Sequence, residues 1–138
     1  MAKTFKATVV SADRSLFEGS VSMIAASSIA GELGILAGHT PLLAALKPGQ
    51  VRLTKENGEE EVLYVSGGVV EVQPGMTMIL ADEAERAEEL NPERVEAARK
   101  KAEERMREAS EGKVDYAKAQ AQLEQATAQL AAIRRSKK

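Results

Sequence analysis

The chain has 138 residues, 43% of them hydrophobic and 29% charged, a size and composition that suit one folded domain and neither a disordered tail nor a membrane span. The formal net charge of -2 argues against binding driven by nucleic-acid phosphates. With no cysteine, one histidine, no tryptophan and four aromatic residues (Phe5, Phe17, Tyr64, Tyr116), disulfides, thiolate chemistry and zinc–sulfur sites are excluded, and base-stacking platforms are poorly supplied.

Residues 1–10 hold no long apolar core and no small-residue cleavage site, so no signal peptide is expected and the cytosol is the expected compartment. Short strands then follow one another. Phe5 to Val10 has high β propensity and stops at Ser11-Ala12-Asp13. Val21 to Ser27 is a second run. Gly31 to Leu46 is apolar yet studded with glycine, a His and a Pro; within it Ile35 to Leu46, the longest mostly apolar stretch, is broken by Gly38, His39, Thr40 and Pro41 and is too short to cross a bilayer. It reads as a long loop. Composition leaves open whether that loop only packs over the sheets or presents Glu32 and His39 to a partner. Pro48-Gly49 is a turn signal. Val51 to Glu56 and Glu60 to Val65 flank Asn57-Gly58, a hairpin signal that suggests a type I′ turn with positive φ at both positions. In that hairpin Val51, Leu53, Val62 and Tyr64 are expected on one buried face. Turns at Ser66-Gly67-Gly68 and Gln73-Pro74-Gly75 bound Val69 to Val72, and Met76 to Ala81 closes the series. Turns every 8–12 residues have the rhythm of an antiparallel sandwich or barrel.

The physics changes near Ala81 to Arg86. Nine of the ten glycines lie before residue 84; residues 85–138 carry 13 Lys/Arg and 11 Asp/Glu and are rich in Ala, Glu and Gln. Asn91-Pro92-Glu93 is a helix start: Asn caps, Pro tolerates the first turn and Glu meets the positive end of the dipole. Val95, Ala98, Ala102, Met106 and Ala109 then recur at helical spacing until Ser110-Glu111-Gly112 stops the run. Asp115 can cap a second helix, whose seam is Tyr116, Ala119, Leu123, Ala126, Leu130 and Ile133. The two form an antiparallel hairpin. Its seam is mostly Ala and buries little area per residue, so the hairpin must lean on the strands or on a partner. The fold class is α+β, with an N-terminal antiparallel β-sandwich over residues 1–86 and a C-terminal helical hairpin over 87–138.

No constellation of nucleophile and base appears, nor any phosphate-loop or dinucleotide fingerprint. His39 has no companion ligands for a metal. Glu59-Glu60-Glu61 reads as a solvated hairpin tip. The chain is expected to be non-catalytic, either a subunit of a larger assembly or a free-standing sandwich adaptor with a mobile helical arm.

Three blocks, GELGILAGHTPLLAALKPGQVRL, LYVSGGVVEVQP and LADEAERAEELNPERVEAARKKAEE, together with VVSADRSLFEG at Val9 to Gly19, resemble the epsilon subunit of bacterial rotary ATP synthases. The likeness runs colinearly over nearly the whole chain. It implies a small central-stalk subunit, with a sandwich that binds the gamma subunit and rests on the c-ring. By that match Glu32, Leu33, Gly34 and Ile35 face the c-ring, and Ser11, His39, Leu42 and Ala44 lie near gamma. It also implies helices that leave the folded hairpin, extend toward the catalytic alpha and beta subunits and block ATP hydrolysis. The basic last turn (Arg134, Arg135, Lys137, Lys138) suits acidic groups there. Some members bind ATP through I/L-D-x-x-R-A; here Asn91 replaces the Asp and Val95 the Ala, leaving Arg94, so weak or absent ATP binding is expected and no cofactor is assigned. Neither nucleic acid nor direct membrane insertion is implied; the expected location is peripheral, on the cytoplasmic face of the bacterial inner membrane as part of the synthase.

Overall fold

Alternation of apolar and polar residues through the first half yields eight strands: β1 (Phe5–Val10), β2 (Ser15–Ser28), β3 (Gly31–Leu36), β4 (Leu42–Lys55), β5 (Glu60–Val65), β6 (Gly68–Gln73), β7 (Met76–Ala81) and β8 (Ala84–Arg86). A 3-10 turn (Ala87–Glu89) leads into α1 (Pro92–Ser110) and α2 (Tyr116–Ser136). The computed structural model describes residues 3–112 and 115–137. This is the expected α+β arrangement, a β-sandwich followed by a helical hairpin.

Two strands of 14 residues, β2 and β4, serve both layers. The first half of β2 pairs with β1 and its second half with β3. Likewise residues 42–46 of β4 pair with β6, and residues 49–54 with β5. One layer therefore runs β3–β2–β4–β5–β8, with β2 paired to β4 from Val21↔Lys55 to Ser28↔Leu46, and the other runs β2–β1–β7–β6–β4. Between them lies one core, in which Val9, Val21, Ile24, Val51, Leu53, Leu63, Val65, Val70 and Ile79 are fully buried.

Four local expectations are corrected. Gly31 to Leu46 is not a long loop: β3 and the start of β4 occupy most of it, β3 pairing with β2 from Ser28↔Gly31 to Met23↔Leu36. Pro48-Gly49 does not end a strand. It sits inside β4, where the register against β2 slips between Ala26 and Ser28, and bends the strand from one layer into the other. A Cβ on Gly49 would come within 2.8 Å of the Ser27 side chain, so only glycine allows that approach. At Asn57-Gly58 the hairpin forms, but only Gly58 has positive φ. Its N–H donates to the Lys55 carbonyl and the Lys55 N–H to that of Glu59, the pattern of a type I turn with a bulge rather than type I′.

The fourth correction concerns β5. Val51 and Leu53 point into the sandwich core, whereas Val62 and Tyr64 point out of it; the inward residues of β5 are Leu63 and Val65. All four of Val62–Val65 are nonetheless buried, because the helices cover the outer face.

Both helices start as their sequences specify. The Asn91 side-chain oxygen accepts from the Glu93 and Arg94 N–H groups at 3.0 and 3.2 Å, with Pro92 in the first turn. Asp115 accepts from Ala117 N–H at 2.9 Å and Lys118 N–H at 3.4 Å. Gly112 adopts φ 78° after α1. The seam is thinner than its pattern suggests. On α1 only Val95 and Ala102 are buried and Ala98 is exposed, and Tyr116 on α2 is exposed.

Candidate functional site

The chain offers two surfaces and one joint. The joint is where α2 lies on β4 and β5. Val62 and Tyr64 from β5, Ala87 and Leu90 from the connection, Val95 from α1 and Ala128, Leu130, Ala132 and Ile133 from α2 form a cluster separate from the sandwich core. It is small, half the size of the sandwich core's cluster, and three of its nine residues are alanine. Midway along α2 the fit is open: a groove of about 540 Å³ lies between the bend of β4 (Lys47, Pro48, Gly49, Gln50) and Leu123, Thr127, Ala128 and Ala131. Two buried polar atoms at the joint, the Tyr64 hydroxyl and the Gln50 side-chain oxygen, have no hydrogen-bond partner among the described residues. These residues face each other across β4 and β5. Burial, with the charges of Glu83 and Glu85 adding to it, pushes the Tyr64 phenol up to about 12.

Charged groups border the joint. Arg135 in the last turn of α2 donates from Nε and Nη2, one edge of its guanidinium, to the two oxygens of Glu60 at 2.7 and 2.9 Å. That hydrogen-bonded contact holds the Glu60 carboxyl below its ordinary value, against the opposing effect of partial burial. Glu60 therefore does more than solvate a hairpin tip. Arg134 is exposed on the same turn, as is Lys137 just after it; Lys138 lies outside the described residues. At the entry to the joint, Arg86 donates to the Leu16 carbonyl at 2.8 Å and contacts Glu61 at 3.3 Å and Glu89 at 3.1 Å, tying β8 to both layers.

The first surface is the edge at β3. Glu32 and Gly34 face outward and Ile35 inward, where it is buried; Leu33 packs partly against the core. Glu32 is not free: Arg52 on β4 reaches over β2 and meets its carboxylate at 2.5 Å. The turn between β2 and β3 puts Ile29 at its tip, 74% exposed, while its N–H donates to the Ala45 carbonyl at 3.1 Å.

The second surface is the outer face of the layer containing β1, β7, β6 and the start of β4. Register places Leu43, Val69, Leu80 and Met76 there, all exposed, with Met78 and Glu71 among them. Leu42 and Ala44 alternate with Leu43 and pack partly against the core, so the outward apolar group at this position is Leu43. Ser11 and His39 stand at opposite ends of the face. Ser11 follows Val10, which pairs with Leu80, and its hydroxyl donates to Asp13 at 2.8 Å. His39 lies beside Val72, Gln73 and Met76, half-buried, with Nδ1 2.6 Å from the Thr40 carbonyl. Leu43, Val69, Leu80, Met76 and Ile29 were absent from the sequence candidates. Strand alternation counted outward from the buried positions is the signal that finds the first four.

Asn91 and Arg94 both lie at the start of α1. The Asn91 oxygen is spent on the helix cap, and Arg94 is exposed in the first turn of α1. Among the described residues no group of three or more His, Cys, Asp or Glu is placed to hold a metal, and no helix is long and apolar enough to cross a membrane.

This architecture has relatives. Residues 4–87 match the model of the ATP synthase delta/epsilon chain β-sandwich domain, and residues 88–134 that of the long α-helix domain of the same chain. The chain belongs to the ATP synthase delta/epsilon family. It is 54% identical over 141 residues to the ATP synthase epsilon chain of Dichelobacter nodosus, covering 98% of both chains. It is 49% identical over 138 residues to that of Nitrosococcus oceani, covering 100% of this chain and 98% of the relative. Among solved structures it superposes with TM-score 0.83 and 27% identity on a chain of the Euglena gracilis mitochondrial ATP synthase (OSCP/F1/c-ring), covering 94% of this chain and 81% of that one. A central-stalk/c-ring structure from Tetrahymena thermophila shares the fold, with TM-score 0.53 and 19% identity over 64% of this chain and 70% of that one.

Proposed function

We propose that this chain serves as the epsilon subunit of a bacterial ATP synthase, a non-catalytic piece of the central stalk. Its sandwich grips the gamma subunit and rests on the c-ring, and its helical hairpin restrains ATP hydrolysis by leaving the sandwich and extending toward the catalytic alpha and beta subunits. The observation that carries this reading is the joint. The hairpin is held by a small cluster distinct from the sandwich core, flanked by an open groove, and two buried polar atoms there have no partner among the described residues. An element attached that way can detach while the platform stays folded. Near-complete coverage of epsilon chains in both directions supports the assignment to the stalk.

The exposed stripe of Leu43, Val69, Leu80 and Met76, bounded by Ser11 and His39, supplies the apolar anchors that a stable gamma contact needs. The β3 edge, with Glu32 and the neighbouring Ile29 tip, supplies the contact to the polar loops of the c-ring. Arg134, Arg135, Lys137 and Lys138 give the extended helix a basic end for acidic groups on the catalytic subunits. With Asn91 in place of the motif Asp and its oxygen engaged in the helix cap, ATP binding at Asn91 and Arg94 is weak or absent in this reading. The subunit sits peripherally on the cytoplasmic face of the inner membrane.

The test is deletion of residues 88–138 in the assembled enzyme. Gamma should still co-purify with the truncated subunit, and ATP hydrolysis should rise. An unchanged hydrolysis rate in a complex that still contains the truncated subunit overturns the braking role.

A further inference from the structure

Four charged side chains lie in a row across the outer face of the β3–β2–β4–β5 layer. Glu32 on β3 meets Arg52 on β4 at 2.5 Å, and Glu60 on β5 meets Arg135 on α2 at 2.7 and 2.9 Å. Arg52 stands between the two carboxylates. In the β4–β5 register it is opposite Val62, and Glu60 is opposite Thr54, so Arg52 and Glu60 are diagonal neighbours on one face. Long side chains span that diagonal. The charges of Arg52 on Glu60, and of Glu32 on Arg135, are felt across the same row.

We propose that Arg52 couples the β3 edge to the hairpin latch. While Glu32 holds Arg52, Glu60 is left to Arg135 and the last turn of α2 stays down. When a cationic group of the partner beneath the β3 edge takes Glu32, Arg52 swings to Glu60, competes with Arg135 and loosens the hairpin. Seating on the ring thus favours release of the brake arm. This rests on the reading that the hairpin detaches, and it adds which contact sets the balance. Both bridges are partly exposed, so the coupling is modest, about two- to fivefold in the opening equilibrium. Its value lies in direction: a partner cation drawn to Glu32 weakens that carboxylate's hold on Arg52 and never strengthens it.

The experiment uses the free full-length chain. Because the chain has no cysteine, Ala132→Cys provides a single thiol fully buried in the joint and away from the groove, whose labelling rate reports opening. In that background Glu32→Gln, which mimics capture of Glu32, should speed labelling about two- to fivefold. Arg52→Gln should abolish the effect, so that Glu32→Gln changes nothing when added to it. Arg135→Gln should speed labelling with or without Arg52. No acceleration by Glu32→Gln overturns the proposal. So does equal acceleration in the Arg52→Gln background, which assigns the effect to direct attraction between Glu32 and Arg135. Circular dichroism of each variant identifies any that fails to fold, and the remaining arms still decide. Labelling of the free chain can fail while deletion of residues 88–138 still raises hydrolysis, or the reverse, so the coupling and the braking role stand or fall separately.

Discussion

Removing one oxygen should make the hairpin hold more tightly. Tyr64 is 1% exposed, its ring packed among Val62, Leu90, Leu130 and Ile133, and its hydroxyl has no partner. The ring contributes to docking, whereas the buried hydroxyl meets no protein partner among the described residues. A buried polar group left so costs about 1–3 kcal/mol. Tyr64→Phe keeps the ring and removes the cost, so the docked state should gain about 1–3 kcal/mol, and opening should become about 5- to 150-fold rarer. Native-state hydrogen exchange at the Leu130, Ala132 and Ile133 amides reads that opening directly. There is also a signature in alkali. Folding raises the Tyr64 pKa to about 12 from an unfolded value near 10. The neutral phenol's contribution is therefore complete below pH 10 and declines as pH climbs from 10 toward 12. Tyr64→Phe should flatten the fall of the melting temperature over that interval. Faster exchange in Tyr64→Phe refutes the reasoning, because it gives the hydroxyl a partner that contributes to docking.

Two further outcomes follow from the geometry. Folding lowers the Glu60 pKa below 4.5, so the stabilisation it brings is present above that value and is lost as pH falls through the folded pKa. Hairpin opening should rise in that acid range for the native chain and show a smaller rise in Glu60→Gln; identical pH profiles contradict the latch. Gly68 has φ +137°, and a Cβ there would meet the Leu80 carbonyl oxygen at 2.1 Å, so Gly68→Ala should lower stability by at least about 2 kcal/mol. An unshifted urea midpoint rules that out.

The period of the apolar residues announced strands before residue 84 and helices after it, and both helix caps were readable from Asn91-Pro92 and Asp115. What escaped was whatever depends on a partner element. Gly31 to Leu46 looks like a loop because its glycines and proline weaken strand propensity, yet β2 offers β3 a full ladder of hydrogen bonds and tertiary pairing wins. Pro48-Gly49 has turn chemistry, and the chain uses it to bend a strand. The side assigned to Val62 and Tyr64 was wrong because Val62–Val65 is apolar at every position, and a strand buried on both faces carries no alternation to read. For the candidate site, Glu32 and Arg135 were legible as charges. Their holders, Arg52 and Glu60, lie 20 and 75 residues away in sequence and come near only through the sheet register and the docked helix.

The long strands β2 and β4 have a mechanical consequence. In many sandwiches the two sheets touch only through side chains, and a twisting load on one can slide it over the other. Here two continuous backbones run from sheet to sheet, one bending at Pro48-Gly49. A torque that entered through one sheet would reach the other along covalent bonds, so the platform is built to resist shear as a block whether or not the helices are docked on it.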